Sequence, residues 1–138
     1  MKRYLLDTSI CIAILKKDPN VAKAISQIEM ARCYISEITV IELKVGAILG
    51  KAKAPKGRYI DQHIDSFISN LTIVPINTCV DFFAEEKVRL QLAGTPAHNN
   101  FDLLIGCTAV TNNLIMVTDN IKDFKNIKGI KIENWIKR

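Results

Sequence analysis

The sequence predicts an α/β fold built on a mostly parallel sheet of four to five strands. Short β-like runs alternate with longer helical runs along the 138 residues. This alternation is typical of βαβ units, whose right-handed crossovers place helices on both faces of the sheet. No repeat, low-complexity tract or linker divides the chain, and 49% of its residues are apolar. We therefore expect one domain over residues 1–138.

Five apolar runs are interpreted as strands because each is short, rich in branched residues and bounded by polar or turn-forming residues. The first four would form the body of the sheet, and the last would lie at an edge. They are Arg3 to Leu6, Cys33 to Ile35, Leu71 to Ile76, Leu114 to Val117 and Ile130 to Ile132.

Capping signals place the helices of the first half of the chain. Thr8 or Ser9 is expected to cap a helix that runs to about Lys17, and Pro19 to open a second helix over residues 19–31. Ser36 would start a third helix, and residues 50–57 would form a polar, basic loop or arm.

The second half contains three helical patterns. One carries Ile64 and Phe67 and precedes the third strand. In the next, Thr78 and Asp81 resemble a capping box, and Gly94-Thr95-Pro96 ends the helix. Asn99 or Asn100 is expected to open the last, FDLLIGCTAVTNN.

Composition narrows the class of protein. No apolar run approaches the roughly 18 residues that would span a bilayer, and Asp7 interrupts the N-terminal apolar run too early for a signal peptide, so we expect a cytoplasmic protein. The four cysteines form no C-x-x-C pair and are expected to be buried, reduced thiols.

The net charge of +5 favours a polyanionic partner, although an acidic protein would also suit it. The basic residues gather in two stretches, and single lysines in such runs are usually solvated. The stretches comprise Lys44, Lys51, Lys53, Lys56 and Arg58, then Lys122, Lys125, Lys128, Lys131, Lys137 and Arg138.

Four acids stand out because apolar sequence surrounds them: Asp7, Glu42, Asp102 and Asp119. Each has an ordinary explanation when taken singly. Asp7 and Asp119 could be turn residues after strands, Asp102 could complement a helix dipole, and Glu42 could point to solvent. In parallel sheets, however, ligands bind beyond the carboxyl ends of the strands, where Asp7 and Asp119 are predicted to lie.

Carboxylates gathered at one sheet end would need a cation or protons. Two unit charges about 4 Å apart repel by about 4 kcal/mol at an effective dielectric constant of 20. No lysine is adjacent to Asp7, Asp102 or Asp119 in the sequence, and an all-oxygen site suits Mg²⁺ or Mn²⁺. Such a site would support hydrolysis of a phosphodiester by an activated water.

The segments LLDTSICIAILK, SEITVIELKVGA, FDLLIGCTAV and LIMVTDNIKDF, in this order, resemble the PIN-domain ribonucleases. The greatest similarity is to VapC-like toxins of prokaryotic toxin–antitoxin pairs, and the closing KGIKIENW also resembles the end of those proteins. The resemblance implies a three-layer α/β/α sandwich and a Mg²⁺- or Mn²⁺-dependent endoribonuclease. It also implies a homodimer and a cognate antitoxin that covers the active site.

The resemblance assigns roles by position. Asp7, Glu42 and Asp102 match the three main acids of the family, with Asp7 and Asp102 as the expected metal ligands, and Ser9 matches a small polar residue near the metal. The fourth position corresponds to Asp119 or to Asn120, and Thr118 would help it to hold water or a second ion. An RNA substrate is expected, with tRNA as one candidate.

Two other classes of function remain open at this point. A phosphatase of the haloacid dehalogenase type also places an Asp after its first strand, but it needs a second Asp two residues later, where this chain has Ser9. A non-catalytic module that binds RNA or protein would be expected to have a degenerate acidic pocket, whereas three acids of the pattern are intact here.

Overall fold

A computed structural model of the chain describes residues 1–54 and 61–136. Within them the backbone forms five strands and seven α-helices. The strands are β1 (Tyr4–Leu6), β2 (Cys33–Ser36), β3 (Thr72–Val74), β4 (Ile115–Val117) and β5 (Ile132–Glu133). The helices are α1 (Thr8–Leu15), α2 (Pro19–Ser26), α3 (Glu37–Lys53), α4 (Asp61–Ser69), α5 (Val80–Leu92), α6 (Asn100–Thr111) and α7 (Ile121–Phe124).

The strands form one parallel sheet in the order β3-β2-β1-β4-β5. The predicted parallel sheet is confirmed, and β5 lies at an edge as expected. The fifth strand begins at Ile132 rather than Ile130 because the chain turns at Gly129, whose φ of 81° favours a residue without a side chain.

Alternation along β1 divides the core into two layers. Tyr4 and Leu6 face a cluster that includes side chains of α1, α2, α3 and α4. Leu5 faces the opposite cluster, which is filled mainly by α6 with Leu90 of α5 and Phe124 of α7. A central sheet with helices on both faces is the three-layer α/β/α sandwich that was predicted.

Several predicted helix ends are wrong. Asp7, rather than Thr8 or Ser9, caps α1, because its carboxylate accepts the Thr8 N–H. The helix predicted over 19–31 ends at Ser26, and a short 3₁₀ turn, Met30–Arg32, follows. The Thr78 hydroxyl donates to the Pro75 carbonyl and does not cap α5.

Helix α3 also continues beyond its predicted end, through Gly50 to Lys53. Good helix formers after Gly50 extend it, so the first part of the predicted loop is helical. Residues 55–57 of that predicted loop lie outside the described residues, as do Arg58, Lys137 and Arg138 of the basic stretches. In the ranges described, no helix is both long and apolar enough to cross a membrane.

All four cysteines are buried and unpaired, which confirms the expectation of reduced thiols. Burial raises the pKa of the Cys33 thiol to about 11 and that of the Cys107 thiol to about 12. These thiols stay protonated near neutral pH and pack as small apolar groups.

Candidate metal-binding active site

The site lies where β1 and β4 end side by side. Because the two strands are parallel neighbours, the residues that follow them meet at the carboxyl edge of the sheet. The Asp7 N–H donates to the Val117 carbonyl at 2.9 Å, which places Asp7 next to Thr118. The Asp7 residue is only 4% exposed.

Three hydrogen bonds hold the Asp7 carboxylate. Its Oδ1 accepts from the Thr8 N–H at 2.7 Å, and its Oδ2 accepts from the Thr118 hydroxyl at 2.8 Å and the Ser9 hydroxyl at 3.2 Å. Burial raises the pKa of Asp7, and these bonds only partly offset that rise. Ser9 and Thr118 therefore orient this carboxylate, and their predicted roles beside a metal stay predictions.

Glu42 reaches the same place from α3. The Thr8 hydroxyl donates to Glu42 Oε1 at 2.6 Å, and the Thr39 hydroxyl lies 3.2 Å from Thr8 Oγ1. Thr8 links Asp7 and Glu42, because its N–H binds one carboxylate and its hydroxyl binds the other. From the sequence, Thr8 is predicted only as a helix cap, since nothing in LLDTS shows that α3 lies opposite it.

Asp102, the third of the main predicted acids, lies in the first turn of α6 and is half-buried. Burial is the main cause of a rise in its pKa to about 6. The negative charges of three other acids add to this rise: Asp7, Glu42 and Asp123. The fold thus brings together Asp7, Glu42 and Asp102, which are far apart in the sequence.

Asp123 is a further acid beside the site that the sequence pattern does not reveal. It lies on the one-turn helix α7, and its negative charge contributes to the raised pKa of both Asp7 and Asp102. The signal was present in DNIKDF, but an exposed acid in a polar run looks like ordinary surface. Only the packing of α7 against α6 brings it to the cleft.

The two candidates for the fourth position lie on the turn after β4. Asp119 Oδ1 accepts from the Asn134 amide at 3.2 Å, and the Asp119 N–H faces Ser9 Oγ at 3.5 Å. The exposed Asn120 donates its N–H to Thr118 Oγ1 at 2.9 Å. Both residues adjoin the Asp7 hydrogen-bond network, and their roles at the metal stay predictions.

The donor set suits a hard divalent cation. Over residues 1–54 and 61–136, no lysine or arginine forms an ion pair with Asp7, Glu42, Asp102 or Asp123. In the same part of the chain, no three acidic, histidine or cysteine side chains are gathered into a ready-made metal centre. Mg²⁺ needs only one or two protein carboxylates and keeps several waters, so the residues fit this ion without such a cluster.

A cleft of about 310 Å³ opens beside these acids. Asp102 and Asp123 line it, together with His98, Lys122 and Asn126. His98 and Lys122, two basic side chains that line this cleft, are both exposed. The arrangement combines carboxylates that need a cation with groups that can contact an anionic substrate.

The model of the PIN domain family matches residues 4–130 of the chain. The chain is 33% identical over 139 residues to "Ribonuclease VapC2" of Rickettsia felis, covering 97% of this chain and 98% of that protein. It is also 33% identical over 137 residues to "tRNA(fMet)-specific endonuclease VapC" of Salmonella typhimurium, covering 98% and 99%.

Solved structures agree with the sequence relatives. The DNA-bound VapBC of Salmonella typhimurium superposes with a TM-score of 0.83 at 31% identity, covering 99% of this chain and 100% of that one. VapBC2 of Rickettsia felis, bound to a promoter DNA fragment, superposes with a TM-score of 0.81 at 31% identity, and the match covers 96% of this chain and 98% of that one. The chain therefore belongs to the PIN domain family and, within it, to the VapC ribonucleases.

Proposed function

We propose that the chain is a divalent-cation-dependent endoribonuclease and the toxin of a VapBC pair, acting in the cytoplasm. The observation that carries this proposal is that Asp7, Glu42 and Asp123 lie near enough to Asp102 for their charges to add to the effect of burial, and that together these effects raise the pKa of Asp102 to about 6. Carboxylates held together without an ion pair of their own are a binding site for a cation. The four unpaired cysteines also suit a reducing compartment.

Each side chain has a definite task in this scheme. Asp7 and Asp102 would hold Mg²⁺ or Mn²⁺, with Glu42 and Asp123 at its margin. The bound cation supplies positive charge that stabilises the phosphate in the transition state and makes a neighbouring water more acidic. Thr8, Ser9 and Thr118 keep the acids oriented, and Lys122 at the cleft can contact an RNA phosphate.

We propose tRNA as the substrate class. The support comes from the Salmonella typhimurium relative, whose name specifies tRNA(fMet), and from the net charge of +5 of this chain. An exposed His and Lys beside the acidic site could contact the base and the backbone of a single-stranded RNA loop.

The first prediction concerns metal removal. Purified chain should cleave total RNA with Mg²⁺ or Mn²⁺, with cuts that map to one or a few tRNAs, and cleavage should stop in excess EDTA. Restoring Mn²⁺ after EDTA should restore cleavage, which separates metal loss from unfolding. Equal cleavage with and without EDTA would refute the metal requirement, and cuts spread over all RNA would refute the tRNA preference.

The phosphatase alternative conflicts with the geometry around Asp7. That mechanism needs a second acid two residues later to protonate the leaving group, whereas the side chain there is the Ser9 hydroxyl, which donates to Asp7. A non-catalytic binding module stays an alternative only if the metal-loaded protein is inactive on every RNA tested.

An exposed apolar strip on α3 supports a protein partner beside the site. Ile41, Val45, Ile48 and Leu49 are between 45% and 72% exposed, and Ile41 adjoins Glu42. The spacing places these side chains on one side of the helix. We propose that the antitoxin, expected from the adjacent gene, packs its apolar side chains on this strip, as a partner of the kind present in the related VapBC complexes.

The second prediction tests this strip. Ile48→Asp should weaken binding of the adjacent gene's product at least about tenfold, because a charge would be buried against an apolar partner. The matched control is Val88→Asp. Val88 is an exposed residue of α5, on the opposite face of the sheet from the α3 strip, so this change should leave the affinity for the antitoxin unchanged. Binding is measured by calorimetry.

Light scattering on the same variants tests a further proposal, that the chain alone forms a homodimer. The wild-type mass should be twice 15.5 kDa. If Ile48→Asp halves that mass and leaves antitoxin binding intact, the α3 strip is the dimer surface and the antitoxin assignment is wrong.

A further inference from the structure

An ion pair on α5, away from the acids of the site, joins the buried carboxylate of Glu86 to the exposed guanidinium of Arg89. Glu86 is only 3% exposed. Both of its oxygens bind Arg89, with Oε1 accepting from Nε at 2.6 Å and Oε2 from Nη2 at 2.7 Å. These bonds lower the pKa of Glu86, so it is charged near neutral pH. Because solvent reaches Arg89, the ion pair by itself is weak evidence of a large contribution to stability, and its further contacts indicate its role.

The pair also holds the segment that follows α7. The Lys128 N–H donates to Glu86 Oε2 at 2.7 Å, and Arg89 Nη2 donates to the Asn126 carbonyl at 2.8 Å. The pair therefore fixes both ends of residues 126–128. Asp123 lies only three residues before this segment, and Asn126 and Ile127 line the same cleft as Asp123.

Helix α6 also packs against α7 and the segment that follows it. A Cβ at Gly106 would overlap the Ile127 side chain and would lie 3.2 Å from Phe124. Gly106 is one turn after Asp102 on the same side of α6. The missing side chain at Gly106 thus lets the α7 segment pack closely against α6 beside Asp102, while Glu86 and Arg89 tie it to α5.

Helix α7 needs such support for two reasons. A helix of four residues has little stability of its own. In addition, Asp123 carries the same charge as Asp7 and Asp102, whose pKa values it helps to raise, so like-charge repulsion opposes its position beside them when no cation is bound.

We propose that the Glu86–Arg89 pair is a positioning element for Asp123, which fixes α7 beside α6 and thereby sets how tightly the cleft binds a divalent cation. This inference rests on the proposed function. It assigns a role to two residues that do not touch the metal, and it predicts that they act through Asp123.

The third prediction uses Mn²⁺ binding, measured by calorimetry without RNA. The double variant Glu86→Leu with Arg89→Met removes both partners, so no unpaired charge stays buried. It should weaken Mn²⁺ binding about tenfold, the loss usual for groups that orient metal ligands. Glu86→Gln keeps one acceptor for Lys128 and Arg89 and should lose less Mn²⁺ affinity than the double variant. The control is Glu85→Gln, at an exposed neighbouring position, which should bind Mn²⁺ as tightly as the wild-type protein.

A background of Asp123→Asn separates positioning from general stability. If the pair acts through Asp123, the double variant should cause no further loss of Mn²⁺ affinity in that background. Unchanged affinity in the folded double variant, or an equal further loss in the Asp123→Asn background, would overturn the inference. If the double variant does not fold, the Mn²⁺ affinity of Glu86→Gln is compared in the wild-type and Asp123→Asn backgrounds instead. Wild-type protein that binds no Mn²⁺ would instead overturn the proposed function, and this inference with it.

Discussion

Asp7→Asn is expected to reduce RNA cleavage at saturating Mn²⁺ by at least about 10³-fold, because the charge that holds the cation is lost. The fold should survive. Asn caps helices as well as Asp does, so the Thr8 N–H keeps an acceptor. The hydroxyls of Ser9 and Thr118 can rotate to accept from the new amide. Cleavage is measured on gels, and folding by circular dichroism.

The matched control for Asp7→Asn is Asp18→Asn. Asp18 caps α2 by accepting from the N–H groups of Asn20 and Val21, in the way that Asp7 caps α1. The control variant should cleave RNA at the wild-type rate. Full activity in Asp7→Asn, with Mn²⁺ binding retained, would end the hypothesis that Asp7 is a metal ligand.

Asp102→Asn should have the second largest effect, a loss of about 10²- to 10³-fold in cleavage together with a gain in stability of the metal-free protein. The folded chain binds the Asp102 proton more tightly than the unfolded chain does, since burial raises its pKa from 3.8 to about 6. The free energy of unfolding therefore falls as the pH rises through this range, and the deficit persists at neutral pH.

Removing the charge removes that deficit. We expect Asp102→Asn to gain about 1 kcal/mol at pH 7 in EDTA, less than the full shift implies because solvent reaches this half-buried group. The variant should also lose the increase in melting temperature that Mn²⁺ gives the wild-type protein. Melting curves between pH 4 and 8, with and without Mn²⁺, measure both effects.

Asp81→Asn is the matched control, because Asp81 also lies in the first turn of a helix, α5. There the charge complements the helix dipole, so its loss should lower stability by a few tenths of a kcal/mol and leave cleavage unchanged. If Asp102→Asn behaved like Asp81→Asn, Asp102 would be an ordinary helix-terminal acid and not part of a metal site.

These expected results imply that the ionised acids of the site lower the stability of the metal-free protein. Asp7 and Asp102 have raised pKa values because burial and like charges disfavour their ionised forms. Replacing either with a neutral side chain relieves this strain and removes the proposed activity. Such opposition between stability and function is common at active sites.

Local signals in the sequence are sufficient to identify Asp7, Glu42 and Asp102 as candidate site acids. Each acid interrupts an apolar run, so its position in a buried element could be read without knowing its neighbours. Asp123 and Thr8 could not be found in this way. Asp123 sits in a polar run, and Thr8 gains its importance only from the approach of Glu42.

The errors at helix ends have a similar origin. The sequence predicts a functional acid at Asp7 and a cap at Thr8 or Ser9, whereas in the structure the Asp7 carboxylate itself caps α1. The basic stretch after Gly50 looked like a loop because its residues are polar, but Lys51 and Lys53 continue an exposed helix. Polarity indicates exposure, and exposure does not distinguish a loop from a helix.

The amino-acid pattern alone determined the parallel sheet, the order of its helices and strands, and the acids at the strand ends, because hydrophobic periodicity and crossover geometry are local or nearly local properties. Only the tertiary structure decided which polar groups share the Asp7 network and how α7 reaches the cleft. Contacts such as Thr118 with Asp7, or Arg89 with Asn126, join residues distant in sequence. Their existence depends on how the layers pack, which no short stretch of sequence encodes by itself.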